Sequence, residues 1–230
     1  SQQIVEFTSD QLLQIPRHKL AAAVFGARVL EQGAAGWNLR FSGDTAPAML
    51  SGVSAHSLGR MPALASSGAG LLLATLAHTV GWPIIKGGSQ KLADALADCF
   101  RNSGGEIITG RPVASAEDMP KAASYFFDVT PRQLINIKGL GLTDGYRKRL
   151  ARFRYGPGVY KMDWALKEPI PWKADICRKA GTVHLGESFE EIAASIREVR
   201  AGNVSPSPYI ILAQQSLFDP SRAPAGRHTA

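Results

Sequence analysis

Between positions 61 and 85 the chain carries no Asp, Glu, Lys or Arg, in the run MPALASSGAGLLLATLAHTVGWPII. A run of that length can cross a bilayer as a helix. This one also holds Ser66, Ser67, Thr75, His78 and Thr79, and its leucines gather in the second half. A buried helix is therefore the better reading, and a transmembrane span the weaker one. A helix apolar on all sides must be packed on all sides or must line an apolar cavity. The 230 residues suffice for one domain, or two small ones, with a core able to do that packing.

Charge narrows the partners only slightly. The formal net charge is +7, which permits an acidic partner without selecting one. The basic residues crowd into YRKRLARFRY at 146–155, where Arg147, Lys148, Arg149, Arg152 and Arg154 spread around a helix and form no single stripe. They read as a solvated face, and no nucleic-acid partner is expected. Cys99 and Cys177 lie far apart without CxxC spacing. Cys99 falls on the apolar side of a predicted helix, so buried free thiols are expected in place of a disulfide. The ends, SQQIVEF and GRHTA, read as cut from a longer polypeptide.

The first half is mainly helical by pattern. DQLLQIPRHKLAAAVFGARVLEQG, with Pro16 near its start and Gly33 near its end, predicts one helix. DTAPAMLSGVSAHS predicts another, with Asp44 as N-cap and Pro47 in the first turn. A third helix carries Leu92, Leu96, Cys99 and Phe100 at helical spacing, and EIITG then reads as a strand.

The second half mixes elements. SYFFDV reads as a strand stopped by Thr130-Pro131, and PRQLINIKG as a helix. GVYKMDWAL alternates, placing Val159, Lys161 and Asp163 on one face and Tyr160, Met162 and Trp164 on the other. GTVHLG and PYIILAQQS read as strands. SFEEIAASIREVRAG is the cleanest helix, with a Ser188–Glu191 capping box, a stripe of Phe189, Ile192, Ala193, Ile196 and Val199, and Gly202 just past its end.

No self-contained catalytic apparatus is visible. KGGSQK at 86–91 lacks the Walker spacing, and its glycines read as a sharp turn with Ser89 capping the helix. GLGLTDG at 139–145 has its third glycine one residue late for a dinucleotide fingerprint, and reads as a helix end and a loop. His18, His56, His78, His184 and His228 are scattered, without HExxH or cysteine pairing, so no metal site is expected. There is no GxSxG elbow, and Glu190 and Glu191 are consecutive, so they point different ways on a helix.

Three stretches together carry a family resemblance. PIIKGGSQKLADALADCFRNSGGEIITGRPV resembles the "P-x-GG … L … AL … GG-x-I-x-T-x-x-V" segment of phytoene desaturase-like FAD-dependent oxidoreductases. ASYFFDVTPRQL resembles their returning strand that ends in Thr/Asp-Pro, and SLFDPSRAPAGRHTA their "Asp-Pro-Ser-x-Ala-Pro-x-Gly-x-His" run. The resemblance covers nearly the whole chain, more loosely before Met61.

The resemblance implies an α+β fold, a mixed or antiparallel sheet with packed helices, forming the substrate-domain portion of a two-domain FAD-binding oxidoreductase. Residues 1–230 would be a central segment of the flavoprotein, with 81–131 approaching the FAD domain. The N-terminal GxGxxG and the C-terminal FAD segments are not among these residues. Val113, Gly87 and Gly88 would be cofactor-adjacent, with the Val113 backbone beside the adenine and the phosphates bound by segments this chain lacks. FAD would belong to the complete protein, with none bound to this chain alone. The reaction would be hydride removal from an apolar, carotenoid- or isoprenoid-like substrate, with no catalytic acid or base assignable. The isolated chain would then be inactive. The implied location is cytoplasmic, with peripheral membrane association open. The alternative is a non-catalytic module that binds an apolar ligand or another protein.

Overall fold

The computed structural model describes residues 2–9 and 15–230. It is a mixture of helices and small antiparallel sheets. In chain order the helices are α1 Gln2–Thr8, α2 Lys19–Gly33, α3 Thr45–Ser54, α4 Leu64–Ala77, α5 Gln90–Asn102, α6 Pro131–Asn136, α7 Asp144–Ala151, α8 Asp175–Arg178 and α9 Phe189–Ala201. The strands are β1 Ala165–Leu166, β2 Thr182–Leu185, β3 Ile210–Ala213 and β4 His228–Thr229. β1 pairs antiparallel with β4, and β2 with β3, so that His184 stands opposite Ile211. The chain divides into two compact units. The first comprises the described residues up to Leu92 together with Val159–Ala230, and the second is Ala93–Gly158.

The first unit is built on α2, α3, α4 and α9. The uncharged run forms α4 over Leu64–Ala77 only, and no helix among the described residues is long and apolar enough to cross a membrane. The expectation of a helix buried on all sides needs correction. Its fully buried residues are Ser66, Ser67 and Gly70, while Leu64 is exposed and Leu71, Leu72, Leu73 and Leu76 are half-buried. Small residues let backbones approach. An added Cβ at Gly70 would overlap Ser54, and Ser67 Oγ donates to the Val29 carbonyl of α2 at 2.9 Å. Close approach, in place of a leucine seam, therefore sets how α4 packs on α2 and α3.

The core is Ala55, Met61, Ile192, Ala193 and Ile196, with Leu58, Phe189 and Tyr209 against it. The stripe expected on α9 thus supplies most of it. Ser188 Oγ accepts the Glu191 amide at 3.1 Å, and Gly202 ends the helix at a φ of 87°. The return half of the capping box differs: the Glu191 carboxylate accepts from the amide of Glu187 at 2.6 Å and from Ser207 Oγ at 2.6 Å. Asp44 does sit before α3, but its side chain makes no capping bond. The helix expected across 10–33 begins only at Lys19, and positions 10–14 lie outside the described residues. Helix α1 was not legible in the sequence pattern.

The second unit departs most from expectation. The segments EIITG and SYFFDV form no regular secondary structure and join no sheet; in the first unit, Val159 to Trp164 likewise stay outside any strand up to β1. The one bridge in the second unit is parallel, between Ser115 and Lys138, made by the Ala116 amide to Lys138 carbonyl at 2.8 Å and the Lys138 amide to Ala114 carbonyl at 2.9 Å. The apolar stripe of α5 is uncovered, with Leu96 63% and Phe100 51% exposed. Cys99 on the same helix is exposed as well, so the expected burial of its thiol does not hold, although both cysteines are free. Strand-forming composition gives a ladder only where a second strand supplies the partner groups. α6 follows the sequence closely: Thr130 and Gln133 form a capping box and Pro131 occupies its first turn.

Candidate functional site

Gly87 and Gly88 have φ of 83° and 101°, a left-handed geometry that side-chain-bearing residues resist. The amide of Gly88 donates to the Ile85 carbonyl at 2.9 Å, and α5 begins two residues later at Gln90. The amide of Gly87 instead reaches far along the chain, donating to Asp219 Oδ2 at 2.6 Å. Asp219 is 3% exposed, and its other oxygen accepts the Ser221 hydroxyl at 2.6 Å and the Ser221 amide at 3.2 Å. Pro220 opens the single 3-10 turn Pro220–Arg222 that presents these donors.

These bonds favour the charged carboxylate. The Ser221 hydroxyl first, and then the Gly87 amide, hold the Asp219 carboxyl below its ordinary range, with the Arg222 guanidinium adding to the effect. An added Cβ at Gly88 would stand 3.4 Å from the Arg222 guanidinium carbon. Arg222 thus lies against the turn, and it is the φ of Gly88, more than the space beside it, that resists a side chain there. The result is a clamp: a glycine pair, a buried aspartate and an arginine, brought together from Gly87-Gly88 and Asp219-Pro220-Ser221-Arg222.

The clamp bears on the phosphate question that KGGSQK raises. A phosphate cradle needs free amides aimed at the ligand, and the Gly87 amide is committed to Asp219. Val113 belongs to the second unit, on a stretch without regular secondary structure, and is 41% exposed. Its amide and carbonyl make no backbone hydrogen bond among the described residues. Just beyond it, Asp118 Oδ2 accepts the Ala114 and Ser115 amides at 2.9 and 2.8 Å, pinning the end of the stretch. Of the three residues marked out from the sequence, Gly87 and Gly88 share one turn, and Val113 stands in a different unit.

The interior beside α4 was expected to suit an apolar ligand. The cavity bordered by Trp37, Leu50, Ser51, Ser66, Ser67 and Leu71 is about 20 Å³, room for a single water. A wider cleft of about 270 Å³ is edged by Trp37, Asn38, Phe41, Asp44 and Glu190 and is largely polar.

Sequence reasoning missed the roles of Asp219 and Arg222, although the Asp-Pro-Ser-Arg run itself stood out. It also missed a histidine pair. His56 and His184 were read as scattered, yet their Nε2 atoms are 3.0 Å apart. Nothing in a separation of 128 residues signals that contact. Comparison with protein-family models, with curated proteins and with solved structures returned no significant match.

Proposed function

We propose that the chain forms the substrate-domain portion of a phytoene desaturase-like FAD-dependent oxidoreductase. Such an enzyme takes hydride from an apolar, isoprenoid-like substrate, with FAD held mainly by segments outside these residues. The observation that carries this reading is the clamp. Two of the three motifs behind the resemblance, the glycine pair and the Asp-Pro-Ser run, lie 132 residues apart and bond directly through Gly87 and Asp219. Motifs picked out one by one on likeness alone have no reason to meet.

The uncovered surfaces of the second unit fit the same reading. The α5 stripe and segments 106–109 and 124–128, which join no sheet, would offer apolar side chains and unladdered backbone to FAD-domain segments outside these residues. Within this chain, Val113 is the residue suited to the cofactor, because its amide and carbonyl are open to an adenine edge. Gly87 and Gly88 would shape the neighbouring turn without binding phosphate. FAD, when bound, supplies the hydride acceptor. The chain's own residues would position the cofactor and exclude water. The cavity beside α4 is too small for the substrate, which would lie against surfaces completed by the missing segments.

Titration of FAD into the complete apo-protein tests this. Val113→Ala should weaken binding only modestly, since the backbone makes the contact. Val113→Pro should weaken it far more, because proline removes the amide donor. Equal affinity for the parent and Val113→Pro would remove Val113 from the cofactor site.

A second reading, a protein-interaction module without flavin, is favoured by one observation: Phe126 is 96% exposed and Tyr160 87% exposed, each on a segment outside any helix or strand. It predicts a complete protein that purifies without flavin.

A further inference from the structure

His56 lies on the 3-10 turn Ala55–Ser57 that follows α3, and His184 lies on β2. His184 is packed on two sides. An added Cβ at Gly52 of α3 would stand 2.9 Å from His184 Nδ1, and the Tyr209 ring meets the imidazole edge-on with centroids 5.6 Å apart. The Tyr209 hydroxyl closes this wall by donating to the Gly52 carbonyl at 2.6 Å. His56 is exposed and approaches from the solvent side, so that the two Nε2 atoms stand 3.0 Å apart.

We propose that His56 and His184 form a two-histidine binding site for a divalent transition ion of the zinc, nickel and copper class. Two nitrogens bound to one such ion at about 2.0–2.1 Å each, at angles between square and tetrahedral, lie about 2.9–3.4 Å apart. The observed separation falls in that window without movement of either backbone. Imidazole must be neutral to coordinate. Burial first, and the neighbouring His56 second, push His184 down to about 4, and burial lowers His56 as well. Without an ion, the contact requires one ring to carry its proton on Nε2 and the other to accept it. With an ion, both rings carry theirs on Nδ1. No group of three or more His, Cys, Asp or Glu able to hold a metal occurs among the described residues. The remaining coordination positions would therefore belong to water, reached past the exposed His56. Imidazole ligands select these ions over magnesium and calcium, which prefer oxygen. The inference stands independently of the proposed flavoenzyme role.

The test is thermal melting of the 230-residue chain with excess zinc chloride, together with copper(II) electron paramagnetic resonance. Zinc should raise the Tm through binding to the folded state, magnesium at the same concentration should not, and copper should show coupling to two nitrogens. His56→Gln, at an exposed position, should keep the fold by circular dichroism and weaken zinc binding about tenfold or more. His184→Ala should abolish it; should that variant not fold, the copper spectrum of His56→Gln decides, by falling to one strongly coupled nitrogen. His18 pairs with Glu6 at 3.0 Å and is the competing ligand pair, so His18→Gln serves as control and should bind as the parent does. No zinc-dependent shift in the parent, an unchanged shift in His56→Gln, or its loss in His18→Gln would overturn the proposal.

Discussion

Asp219 shows how much one side chain can be asked to hold. Its two oxygens take three donors, from Gly87 and Ser221. Because its folded pKa is lowered, the charged form contributes stability that is fully present above the ordinary carboxylate range. That stability is lost as pH falls through the depressed value. Asp219→Asn should therefore be less stable than the parent at neutral pH, with the gap narrowing in acid; urea melts at two pH values would show it. A gap that stays constant with pH would mean that the carboxylate's charge is not what matters. At Ser188, the cap bond to Glu191 predicts a cost of about 1 kcal/mol for Ser188→Ala. Melting identical to the parent would show that the cap contributes nothing. Such residue-level features were unevenly legible. The Ser188 cap followed from local spacing, whereas Asp219–Gly87 and His56–His184 depend on chain closure over long separations that no local pattern encodes.

At the scale of elements, α9 and α5 make an instructive pair. Both are amphipathic by sequence, but α9 buries Ile192 and Ile196 in the core, while Leu96 of α5 stays exposed. Ile196→Ala should accordingly cost about 2–5 kcal/mol. Leu96→Ala should change the stability of this chain by no more than about 0.5 kcal/mol. Chemical denaturation of both variants checks the contrast, and equal losses would mean that α5 is packed. Periodicity tells which side of a helix is apolar, not whether anything covers it. The same holds for strands. GTVHLG and PYIILAQQS pair with each other as β2 and β3, but EIITG and SYFFDV find no partner among the described residues. GVYKMDWAL likewise forms a strand only at Ala165–Leu166, although Lys161 and Asp163, predicted on one face, do form an ion pair.

For the whole molecule, the mixed helix-and-sheet class was readable from the alternation of patterns along the chain, but the division at Ala93 and Gly158 was not. That division follows from where packing is dense, and density depends on contacts between distant residues. Helix α4 makes the point: an uncharged run was expected to be packed on all sides, yet serines and a glycine do its closest packing, and its leucines remain half-buried or exposed. The proposed role joins these scales, since a clamp made from two family-like motifs sits in the first unit while the second offers apolar, unpaired segments. The measurement that tests this most directly is the absorbance spectrum of the complete protein containing these residues, set beside that of the 230-residue chain alone. The account predicts stoichiometric oxidised-flavin absorbance in the complete protein and none in the isolated chain; a folded complete protein that carries no flavin and takes up none on titration with FAD would contradict it.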